Sequence, residues 1–87
     1  MEDQKMIKIL LLSTNQLIIS QIEEVGTELG EPDCKLIDPW IIGEEDTLSQ
    51  WLIDVSSQRE IMISSDKILT LVDPKATLLK KYEKLIT

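Results

Sequence analysis

The chain has 87 residues and a mass of 9.9 kDa, so folding hides only about 64% of the surface of the unfolded chain and leaves room for one domain, residues 1–87, with a thin core. Its 43% hydrophobic and 29% charged residues are those of a sequence that folds. Nine Lys and Arg against sixteen Asp and Glu give a net charge of −7, which repels polyphosphate. The lack of His and the single Cys34 exclude His/Cys zinc sites, Ser-His and Cys-His nucleophile pairs and an intramolecular disulfide.

The acidic start, residues 1–5, and the short apolar run after it, broken by Lys8, carry no signal-peptide pattern and fall far short of a membrane span. A lone thiol fits a reducing, cytoplasmic location. Residues 6–12 are rich in Ile and Leu and read as a strand. Ser13-Thr14-Asn15-Gln16 supplies turn-forming side chains, and residues 17–25 form the second arm of a hairpin, alternating around Ser20, Gln21, Ile22 and Glu23 as one face leaves the core. Two Gly and one Pro make residues 26–33 a loop.

Residues 34–42 are strand-like, with a kink where Pro39 lacks an N–H. The acidic loop 43–47 leads to residues 51–55, a polar break at 56–58 and a further apolar stretch at 61–63. Pattern alone leaves open whether 51–63 is one bent strand or two. Residues 64–67 form a four-residue turn, and 68–72 the last strand. Asp73 is placed to cap a helix over about 74–86, with Pro74 at its first position and Leu78, Leu79, Tyr82, Leu85 and Ile86 on one stripe. The fold class is therefore mostly β: about five antiparallel strands curling toward a small barrel, closed by an amphipathic carboxyl-terminal helix.

The stretch from Leu12 to Val25 resembles the first motif of the Sm and Sm-like (LSm, Hfq-related) family, with Asn15 at the turn Gly, Ser20 at the small residue of the sharp bend, Ile22 at the apolar site and Val25 at the aromatic. Asn tolerates a left-handed turn, and Ser is small enough for a bent strand. Ile63-Ser64-Ser65-Asp66-Lys67-Ile68 resembles the second motif in spacing, with Ser64 and Ser65 where the family has Arg-Gly. The resemblance implies a strongly bent five-stranded barrel whose copies close into a ring, usually of six or seven, by pairing the fourth strand of one with the fifth of the next. The pairing segments would be 59–63 and 68–72, with Ile61, Met62, Ile63, Ile68, Leu69 and Leu71 as interface candidates. It also implies RNA binding in the loops of the two motifs. Gly26 stands where the family has Asp, so the usual uridine pocket does not carry over, and Lys35, Ser64, Ser65 and Lys67 remain as RNA-binding candidates.

Other features read more plainly. Trp40 and Trp51 are core or interface anchors rather than base-stacking platforms, Tyr82 is packing, and Cys34 is a buried small residue. Glu44-Glu45-Asp46 lacks the ligand spacing of a calcium loop. Lys80, Lys81 and Lys84 solvate a helix face or meet phosphate or an acidic partner. Glu23, Glu24 and Glu28 lack a nucleophile or oxyanion site beside them, so no enzyme activity and no cofactor are expected. The first function the resemblance implies is a homo-oligomeric ring with an Hfq-like role on RNA; the alternative, favoured by the net charge and the missing Arg-Gly, is a ring kept as a scaffold for protein partners. An acidic decoy that imitates nucleic acid is a third, suggested by the net charge of −6 in residues 31–60.

Overall fold

The computed structural model describes residues 6–26 and 28–87; the acidic start at residues 1–5 lies outside the described residues. The described residues are mostly β, an antiparallel sheet of six strands and one carboxyl-terminal helix: β1 (Ile7–Leu12), β2 (Leu17–Glu24), β3 (Cys34–Ile42), β4 (Leu48–Gln50), β5 (Glu60–Ile63), β6 (Ile68–Val72) and α1 (Ala76–Ile86). The strand order is β4-β3-β2-β1-β6, and β5 pairs with β3 on the same edge as β4. The sheet is open, because β6 pairs with neither β4 nor β5.

The hairpin of β1 and β2 turns through Asn15 at φ 70, the left-handed conformation that Asn tolerates. Further along, two residues of β3, Asp38 and Pro39, lie opposite the single Ser20 of β2. Asp38 has φ 55, and the Ser20 hydroxyl reaches the Ile37 carbonyl oxygen at 3.1 Å. This bulge bends β3. It also divides the strand's outer edge, with Ile37 and the residues before it paired to β5, and Trp40 and the residues after it paired to β4.

That division corrects the strand expected over residues 51–55. Pro39 offers no N–H to continue the ladder, so after β4 the chain peels away: Trp51 N–H donates to the Pro39 carbonyl oxygen at 3.1 Å, and the Val55 and Ser56 N–H groups both turn back to Leu52. Leu52 itself sits at φ 64. Six strands therefore replace the expected five, and the apolar residues 51–55 form turns.

The sheet has two apolar faces. On one, Leu10, Leu12, Ile18, Ile22, Cys34 and Leu36 form a core, with Trp51, Ile63 and Ile68 packed against it. On the other, α1 lays Leu78 and Tyr82 over Ile19, flanked by Ile9, Trp40 and Leu48. Both faces of β2 are thus covered, and Ser20 and Gln21 are buried instead of emerging to solvent. The helix starts at Ala76 with Lys75 as its cap residue and no side-chain cap. Asp73 caps nothing; its carboxylate takes the Lys8 ammonium at 2.6 Å. Leu85, expected on the apolar stripe, is 46% exposed.

Candidate functional site

Two edges of the sheet end in unpaired backbone. Among the described residues β5 pairs only with β3, and β6 only with β1. An open edge presents a row of free N–H and C=O groups to any strand that meets it. The side chains there are apolar. Met62, Leu69, Leu71 and Val72 are 44, 59, 48 and 46% exposed. Leu71 lies opposite the fully buried Leu10 and so shares the core face of the sheet, yet half of it meets solvent because no strand follows β6. On β5, Ile61 and Ile63 lie opposite Leu36 and Cys34 and are only partly buried, and on β6 Ile68 is likewise partly buried against the core. Ile61, Ile63, Ile68 and Leu71 thus lie on the core face beside the two free edges, while Met62 lies opposite Lys35 on the other face and Leu69 falls where the register shifts.

The loops that the resemblance assigns to RNA meet at one end of the sheet. The Asp33 carboxylate accepts from the Ser65 N–H at 2.7 Å and the Ser65 hydroxyl at 2.8 Å, which fastens the loop before β3 to the 3-10 turn Ser65–Lys67. These two bonds hold the Asp33 carboxyl below its ordinary value. Ser13 N–H donates to the Lys67 carbonyl oxygen at 2.9 Å, so the β1–β2 turn joins the same cluster. Of the four RNA candidates, Ser65 is already engaged by Asp33. Lys35, in β3, lies between Glu23 at 3.6 Å and Glu60 at 3.7 Å and is neutralised. Ser64 precedes the turn and is partly buried, and Lys67 is exposed, with no carboxylate partner among the described residues. Cys34 beside them is buried, and burial, then Asp33 and Glu24, push its thiol up. With Asp33 on Ser65 and Glu23 and Glu60 on Lys35, the carboxylates beside these candidates have the wrong sign for phosphate.

A third cluster escaped sequence reasoning. The Tyr82 hydroxyl reaches the bulge of β3, donating to the Asp38 carbonyl oxygen at 2.7 Å and accepting from the Gln21 N–H at 3.3 Å. Asp38, 9% exposed, binds Arg59 through both carboxylate oxygens, at 2.5 and 2.9 Å. Bulge, helix and the return to β5 are joined here. The adjoining cleft between Trp40, Trp51 and Arg59 encloses about 20 Å³, room for about one water. Among the described residues no three His, Cys, Asp or Glu side chains are grouped to hold a metal ion, and no helix is long and apolar enough to cross a membrane.

Compared with known families, residues 5–87 match the one described as "Family of unknown function (DUF6561)". Among curated proteins none matches the chain.

Proposed function

The chain belongs to the family DUF6561, whose function is unknown, and we propose that it is a divergent Sm-like protein that assembles with copies of itself into a ring, and that the ring serves as a scaffold for protein partners. The observation that carries this reading is the pair of free edges, β5 and β6, with half-exposed apolar side chains along them. A copy that sets its β6 against β5 of its neighbour satisfies both backbone rows, covers Leu71 and Met62, and repeats until the ring closes. The small Ser20 opposite the bulge and the left-handed Asn15 support the Sm-like reading, as does a count of β4 and β5 as two segments along one edge of β3, which gives a bent sheet of five.

The scaffold use is favoured over RNA by the side chains of the loops. Lys35 is spent on Glu23 and Glu60, and Ser65 on Asp33. An Hfq-like role on RNA is the second reading, favoured by the meeting of the two loops through Asp33 and Ser65 with the exposed Lys67 at their rim. Titration with short U-rich and A-rich RNA at low salt separates them. The scaffold predicts an assembly that stays bare. Uptake in fixed stoichiometry, weakened by Lys67→Ala or Lys35→Ala, would establish the RNA reading instead, with a salt slope reduced by about one for each lost contact.

A further inference from the structure

Within the sheet most cations are matched: Lys8 with Asp73, Lys35 with Glu23 and Glu60, Arg59 with Asp38. The helix differs. Lys80, Lys81 and Lys84 are exposed and have no carboxylate partner among the described residues. Lys80 and Lys84 are four residues apart, on one line of the face opposite Tyr82, where like charges repel unless an anion lies over them. On a chain of net charge −7 this helix surface sets three lysines against the single exposed Glu83, a net basic strip.

Beside it lies its complement. Glu44, Glu45 and Asp46 are exposed, and none pairs with a cation among the described residues. The Lys81 ammonium donates to the Asp46 backbone carbonyl oxygen at 2.8 Å, so the two patches abut while the carboxylates stay free. A basic strip adjoining an acidic turn is self-complementary. A two-fold axis between them sets the helix of one copy on the turn of the other, and the same contact occurs twice.

We propose that this face docks on the same face of a second copy, helix strip against acidic turn, so that two assemblies associate face to face. Nucleic acid fits the surface poorly, because the acidic turn would repel its phosphates. The contact does not involve β5 or β6, so it stands whether or not lateral pairing closes a ring.

Sedimentation of the full chain across a salt series tests it, together with Lys80→Glu/Lys84→Glu, Glu44→Lys/Glu45→Lys, and an equal mixture of the two variants. All four side chains are exposed, and circular dichroism checks that the fold is kept. The proposal predicts a species of twice the basic assembly's mass at low salt, lost near about 0.5 M salt where the screening length is only a few ångströms. Each charge reversal abolishes the doubling, and the mixture restores it. A mass unchanged by salt and by both reversals overturns the proposal, as does a helix variant that loses RNA binding without any change in mass. A ring that fails to form leaves the test intact, read as monomer against dimer.

Discussion

The Tyr82 hydroxyl donates to the Asp38 carbonyl oxygen at 2.7 Å, fixing the helix to the point where β3 bulges at a left-handed residue. Tyr82 is fully buried, and its oxygen also accepts from the Gln21 N–H. One phenol oxygen thus serves backbone groups on two strands that the bulge has thrown out of register.

Tyr82→Phe keeps the ring and strands those two groups. It is expected to cost about 1–3 kcal/mol, as removing one partner of a buried hydrogen bond does, and to lower the melting temperature by about 4–8 °C per kcal/mol. Thermal unfolding checks this. A variant as stable as the parent would show the hydroxyl to be idle.

The same burial makes the phenol reluctant to ionise: loss of water, and then the Asp38 charge against the opposing hydrogen bonds, leave it pushed up to about 12 from 10.0. A raised value means that the folded state holds the proton more tightly than the unfolded one. The stabilisation is complete below pH 10 and lost as pH climbs toward 12. Phenolate absorbance should rise with a midpoint near the upper value, with unfolding in the same window. In Tyr82→Phe the phenol's share of that pH dependence disappears.

Asp33 works in the opposite direction. Its carboxyl lies below the ordinary value of 3.8 because Ser65 donates to it twice, so its contribution is present above that value and fades as pH falls below it. Asp33→Ala should free the loops at neutral pH. Hydrogen exchange at the Ser65 amide is expected to quicken by about tenfold, while the Leu10 and Ile18 amides keep their protection. Equal loss of protection in the core would mean that Asp33 supports the whole fold.

Local chemistry made the hairpin, the left-handed Asn15, the kink at Pro39 and the helix stripe around Tyr82 readable in the sequence. Residues 51–55 misled because Trp-Leu-Ile-Asp-Val has strand composition, while its fate is set by Pro39, twelve or more residues earlier, which gives it no partner. Asp73 misled similarly: a good capping residue was taken by Lys8, 65 positions away. The Asp38–Arg59 pair and the Asp33–Ser65 link span 21 and 32 residues, and no spacing rule reaches that far. Lys35 was legible as a cation but not as a neutralised one, because Glu23 and Glu60 come to it only through the register of three strands.

The free edges of β5 and β6 carry the central claim, and the native mass of the purified full chain tests it most directly. The account predicts a closed assembly of several 9.9 kDa copies, broken to single chains by Leu71→Lys and by Met62→Lys, two half-exposed positions where each copy's own fold survives. A parent protein that stays at one chain's mass at high concentration and low salt would contradict it.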